Sequence, residues 1–224
     1  MSPAKIIDVA KVVTCPFCGR KKELLALCSG SMFRAIYWSD FKQLTPFLPH
    51  VSLVQKCRRC KKYFLLHNQP AERGTMVSFT TGDLSYREWK EAYMQFCQEQ
   101  NHNMKDWRVI SLGMIQAFND RYFRGPTPFV YKKVSTPPKE EYDFFVDVIA
   151  RFINVFDWIY TRDILLKAEL YREIGKFEQC AETLKSIDAA VNGVKSREKN
   201  FDQRLYANIW ARMENRDIRV FQIL

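Results

Sequence analysis

The hydrophobic pattern changes its period once along the chain, near Pro70. Before that point apolar residues come in short runs: Lys11-Val12-Val13-Thr14, Ser52-Leu53-Val54-Gln55 and Lys62-Tyr63-Phe64-Leu65-Leu66. Short β-branched or aromatic runs set beside turn residues predict strands. After Pro70 apolar positions recur every three or four residues, the period of helices that bury one face. The pattern predicts an α+β protein, with a small β-rich ribbon over residues 1–70 and an all-α helical bundle over residues 71–224.

The first helix opens at Leu84-Ser85-Tyr86-Arg87-Glu88-Trp89. Ser85 caps it, Glu88 closes a capping box, and Leu84 staples onto Trp89. Tyr86, Trp89, Tyr93, Phe96 and Cys97 then share a face to about Glu99. A second helix is expected over Met104–Tyr122, with Trp107, Ile110, Met114, Ala117 and Phe118 inward; Gly113 is out of place in its middle. Pro126, Pro128, Pro137 and Pro138 make residues 124–139 an extended connection, read as a proline-stiffened loop rather than a binding strap. Over residues 141–160 only Asp143, Asp147, Arg151 and Asn154 form a polar stripe, so this helix is expected to be buried on most of its circumference. Ile164–Ile174 and Phe177–Ile187, broken at Gly175, predict a helical hairpin. A last helix is expected at about Lys199–Glu214, followed by an apolar, docked segment over residues 219–224.

Composition narrows the class. At 224 residues with 47% hydrophobic side chains and 17 phenylalanines, the chain has material for one large or two small cores and is not disordered. No run approaches the length of an uncharged membrane span, and residues 1–14 lack the apolar core of a signal peptide. The expectation is a soluble, cytoplasmic protein whose thiols stay reduced.

Chemistry enters with two Cys-x-x-Cys pairs, Cys15-Pro16-Phe17-Cys18-Gly19 and Cys57-Arg58-Arg59-Cys60. Together Cys15, Cys18, Cys57 and Cys60 supply four thiolates, the donor set of a tetrahedral zinc site. Gly19 allows a sharp turn after the first pair, whereas Lys61 stands at the equivalent place in the second. The 38 residues from 19 to 56 exceed the simplest ribbon spacing, but loop closure costs little more for a longer insert. Phe33, Ile36, Tyr37, Trp38, Phe41 and Phe47 are enough for this insert to build a small apolar layer, with Pro46 and Pro49 marking its end. Four protein ligands leave no position for water, so the expected role is structural. Iron in a four-sulfur cage, a disulfide framework and a redox pair are the competing readings. Cys97 and Cys180 fall on apolar helical faces and read as core; Cys28 is a weak alternate ligand.

Charge is placed unevenly. The net +10 lies almost entirely in residues 1–70, which hold twelve Lys/Arg against three Asp/Glu. Zinc with four thiolates contributes −2, leaving the ribbon at about +7. Arg20, Lys21, Lys22, Arg58, Arg59, Lys61 and Lys62 flank the two knuckles and are the candidate nucleic-acid contacts. The simpler expectation is that they scatter around the ribbon and offset the anionic centre. Gathering beside Tyr37, Trp38 or Tyr63 would instead make a platform for stacked bases.

Two resemblances follow from these residues. With Gly175 set on the mid-repeat glycine, the region of about 161–190 resembles a tetratricopeptide repeat, Ala168, Tyr171 and Phe177 taking its small and aromatic positions and Leu184 and Ile187 its apolar ones. It departs from the repeat at Ile164, Cys180 and Asn192, and no clean second copy is present. The chain is also similar to uncharacterised bacterial proteins that join a zinc ribbon to tetratricopeptide-like helices, through Cys-Pro-x-Cys-Gly, Tyr-Trp-Ser-Asp at 37–40, Ala-Phe-Asn-Asp-Arg at 117–121 and Ala-Glu-Leu-Tyr-Arg-Glu-Ile-Gly at 168–175. That resemblance implies a fold and no activity.

No phosphate loop, nucleophile elbow or dinucleotide fingerprint is present. His50, His67 and His102 form no metal-binding pair, and Asp143, Asp147 and Asp157 read as a solvated face. The expectation is a zinc-binding, non-catalytic interaction module with a protein or peptide partner and no membrane, self-association being a variant. Nucleic-acid binding by the basic ribbon is the alternative.

Overall fold

A computed structural model describes residues 8–27, 34–45, 52–69, 71–73, 84–99, 102–125, 135–193 and 200–223. It is an α+β fold, with short antiparallel strands concentrated in the N-terminal part and helices filling the remainder. The chain forms two compact units: residues 1–35 with 45–117, and residues 36–44 with 118–224. These units do not follow the expected division at residue 70, and each has its own physical reason.

In the first unit, β1 (Asp8–Thr14) is the centre of a three-stranded sheet, between β2 (Lys21–Leu27) and β7 (Ala71–Arg73). A separate hairpin pairs β5 (Val54–Lys56) with β6 (Tyr63–Leu65). The capping box forms as expected at Ser85 and Glu88, and starts α1 (Tyr86–Gln98). This helix binds to the hairpin edge. The Gln95 side chain accepts from the Tyr63 N–H and donates to the Tyr63 carbonyl, both at 2.9 Å, replacing the ladder bonds a further strand would make. The Tyr63 hydroxyl donates to Glu91, which also pairs with Lys56. The end of the ribbon is therefore tied into α1 by side-chain bonds from Glu91 and Gln95.

The next helix, α2 (Met104–Tyr122), has the expected bounds. A Cβ at Gly113 would collide with the indole ring of Trp89, so the glycine is the price of packing α1 directly against α2.

In the second unit, β3 (Ile36–Trp38) lies between β4 (Gln43–Leu44) and β8 (Gln222–Ile223). Apolar residues of the insert between the knuckles pack here, in the second unit. Ile36 and Trp38 are buried, and Phe41 packs on a core that includes Leu184, Leu205, Ile209 and Phe221. Phe33 and Phe47 lie outside the described residues.

Helix α3 (Lys139–Val155) buries Phe145, Val148, Ile149, Phe152 and Ile153, while Asp143, Asp147, Arg151 and Asn154 are exposed as the stripe requires. It stops five residues short of Tyr160. There the Trp158 indole N–H caps the Ile153 carbonyl at 2.9 Å, satisfying an acceptor the helix end would leave open. The hairpin of α4 (Thr161–Glu173) and α5 (Phe177–Asn192) turns at Gly175, whose φ is +72°. The Gly175 N–H bonds the Arg172 carbonyl and the Lys176 N–H bonds the Tyr171 carbonyl, the paired contacts of a Schellman turn. Asn200 and Gln203 form a capping box that opens α6 (Phe201–Glu214), and Val220 and Phe221 are buried beyond it.

Candidate metal centre

The two knuckles are built alike. In the first, the Cys15 N–H bonds the Arg20 carbonyl (2.9 Å) and the Gly19 N–H bonds the Cys15 carbonyl (3.0 Å). In the second, Cys57 bonds Lys62 and Lys61 bonds Cys57 at the same spacing, both at 2.9 Å. Each turn needs a left-handed residue at the same place: Gly19 has φ +71° and Lys61 has φ +63°. A lysine thus takes a conformation that a Cβ disfavours.

These turns bring Cys15, Cys18, Cys57 and Cys60 together, all four sulfurs lying within 4.8 Å of one another. The Cys15–Cys60 and Cys18–Cys57 separations are 3.7 and 3.6 Å. A metal about 2.3 Å from four sulfurs requires tetrahedral edges of about 3.8 Å, so the spacing fits such an ion. It does not fit a disulfide, whose sulfurs stand about 2.05 Å apart, and the cysteines are unbridged. Val13, Leu24 and Phe64 pack around Cys15 and Cys57. Cys180 is buried in the helical core and Cys97 is half-buried; neither joins the sulfur cluster, and Cys28 lies outside the described residues.

Two of the four thiols, Cys15 and Cys57, are shifted in opposite directions. Burial pushes the Cys15 thiol up to about 12, although the Phe17 and Cys18 N–H groups point at its sulfur. At Cys57 burial is outweighed by the N–H groups of Cys60 and Arg59 and by the neighbouring Cys18 and Cys60 thiols, which bring it down to about 6.

The seven basic residues divide. Arg20, Lys21, Lys22 and Arg58 line a single recess of about 220 Å³ that reaches Cys15, Cys57 and Phe64. Arg59 and Lys61 are exposed elsewhere, and the Lys62 ammonium stands 4.7 Å from the centre of the Phe17 ring. Trp38 and Tyr63 are buried, so neither offers a face for stacking, while Tyr37 is exposed in the second unit with its ring edge-on to Phe201. Of the histidines, His67 bonds Asp106 at 2.8 Å and His102 bonds the Phe96 carbonyl at 2.9 Å; His50 lies outside the described residues.

Sequence reasoning missed a second polar cluster, inside the other unit. Asp40 accepts from the Asn119 amide (3.1 Å) and from Arg124 (2.5 Å); Arg124 also donates to Asp120 (2.5 Å), which pairs with Lys42. Asn119 donates in addition to Glu173 (2.9 Å). Arg172 grips Glu169 through two bonds of 2.8 and 2.6 Å and donates to the Asp217 and Arg219 carbonyls. Asp40, Asn119, Glu169, Arg172 and Glu173 are all completely buried. Burial, then the Glu169 and Asp40 carboxylates, hold the Glu173 carboxyl protonated well above the usual carboxylate range. Asp40, Asn119, Asp120, Glu169, Arg172 and Glu173 come from the elements at 37–40, 117–121 and 168–175, so those short elements meet in one network that Lys42, Arg124, Asp217 and Arg219 complete. Its contacts are all within the fold, and it serves as an internal brace.

Comparison with protein-family models, curated proteins and solved structures finds no match to this chain.

Proposed function

We propose that the chain is a non-catalytic binding module held together by a structural zinc ion, working in the reducing cytoplasm with a protein partner. The observation that carries this reading is the closed sulfur tetrahedron. Four thiolates fill the positions of a tetrahedral ion, leaving none for a water or a substrate. Soft thiolate donors favour zinc or iron over hard cations, and zinc is the reading chosen because it needs no redox partner.

The protein partner is placed at the turn between α3 and α4. Ile159 and Tyr160 are 73% and 72% exposed there, beside the exposed Val155. No other pair of adjacent large apolar residues among the described residues is so open to water, and such patches mark interaction surfaces. The tetratricopeptide-like hairpin α4–α5 supports that turn. No helix among the described residues is long and apolar enough to cross a membrane.

The test is a photo-crosslinking residue at Ile159, with the exposed Asp147 as control, in protein whose metal is counted by elemental analysis. A discrete protein adduct at Ile159 alone, with about one zinc per chain, is expected. An adduct consisting only of the chain itself identifies self-association. Equal labelling at both positions, or less than half an equivalent of metal, defeats the reading. A second reading, nucleic-acid contact by the basic ribbon, is favoured by one observation: four of the seven basic residues share a recess.

A further inference from the structure

We infer that the recess between the two knuckles is a phosphate-binding site assembled by the metal. Its cations come from two separate parts of the chain. Arg20, Lys21 and Lys22 follow the first Cys-x-x-Cys pair, and Arg58 lies within the second. The convergence of Cys15, Cys18, Cys57 and Cys60 brings those two turns to one place. Neither Arg20 nor Arg58 has an ion-pair partner among the described residues, although elsewhere in this unit Lys56 and Arg87 pair with Glu91. Lys22 is half-buried and is held in position by a 2.6 Å bond from its ammonium to the Gln55 side-chain oxygen.

Charge selects the ligand. Four cations line the recess against one carboxylate, Glu23. A zinc ion with four thiolates adds −2, leaving a local charge of about +1. Offsetting the metal centre therefore uses only part of the basic charge. A phosphodiester carries one negative charge and matches the remainder. The planar forks of Arg20 and Arg58 suit phosphate oxygens, which each can engage through two parallel N–H bonds. Phe64 also lines the recess, giving an apolar wall to whatever the phosphate is esterified to. The phosphate could come from a nucleic-acid backbone or from a small phosphorylated molecule. Only the first source depends on the nucleic-acid reading above; the site itself does not.

The experiment uses the metal-loaded full chain and two probes, a labelled 12-nucleotide single-stranded RNA followed by anisotropy and inorganic phosphate followed by calorimetry. Arg20→Ala/Arg58→Ala is compared with Arg59→Ala/Lys62→Ala, which removes the same charge outside the recess; equal metal content verifies that both fold. The recess variant is expected to weaken binding by on the order of tenfold, the control by less than about twofold, and removal of the metal to abolish it. The salt dependence of RNA binding is expected to fall by about 0.7 in log–log slope in the recess variant. Equal weakening by both variants, or no binding of either probe in about 0.1 M salt, overturns the site. Phosphate binding that needs Arg20 and Arg58, without RNA binding, upholds the site and removes nucleic acid as its source. RNA binding indifferent to those two arginines overturns the site and leaves the nucleic-acid reading standing.

Discussion

Lys61 holds a left-handed backbone that Gly19 adopts freely in the matching turn, with φ values of +63° and +71°. A Cβ in that region costs about 1–2 kcal/mol. Lys61→Gly is therefore expected to stabilise the metal-loaded protein by about 1 kcal/mol after the added chain entropy of glycine is counted, and Gly19→Ala to destabilise it by a similar amount. Nothing lies within 4 Å of a Cβ at Gly19, so its loss reports backbone conformation alone. Denaturant titration of the two variants checks both signs. Glu173 gives a pH-dependent counterpart. Its folded carboxyl keeps its proton well above the range where the unfolded one loses it, so folding takes up a proton as pH rises past that range. Stability contributed by this group then falls with rising pH. Glu173→Gln mimics the protonated form, and its stability relative to the parent should improve between pH 5 and pH 8; parallel curves would refute the assignment. Cysteine spacing made the sulfur cluster legible because the two turns that build it are local. The network around Glu173 was not legible, because Asp40, Asn119 and Glu169 look like surface residues until three distant segments meet. Only the Glu169–Arg172 spacing of three hinted at a pair.

Secondary structure read well where period and cap agreed. The bounds of α2, the capping box of α1 and the glycine turn of the α4–α5 hairpin all follow from local residues. Elements defined by distant partners read poorly. The strand β7 was lost in the supposed helical half, since Ala71–Arg73 has no strand pattern of its own and exists by pairing with β1. Gly113 shows the same dependence from the other side. By helix propensity alone Gly113→Ala should gain about 1 kcal/mol. Here the new methyl group would meet the buried Trp89 ring, and overpacking of that kind costs about 1–3 kcal/mol. The variant is expected to melt at lower temperature than the parent, and a higher melting temperature would show that α1 yields easily against α2.

At the scale of the molecule the cysteine cluster joins two β-turns, with Val13, Leu24 and Phe64 packed around it. Chelation, or Cys57→Ser, is expected to unfold the strands of the first unit while the helical signal of α3 to α6 persists, as followed by circular dichroism and hydrogen exchange. Because cysteine binds a metal as the thiolate, metal binding must displace protons. Affinity should rise with pH and the ion should be released on acidification, which a chromophoric metal indicator can follow. The second unit meets a different constraint, one of time. Ser39 and Phe221 bond to each other across 182 residues, and β8 completes the sheet that β3 begins. During synthesis β3 therefore waits with one edge unpaired until β8 has been made. That open edge is a hazard for aggregation while it lasts, and a chain that stalls before residue 222 keeps it exposed.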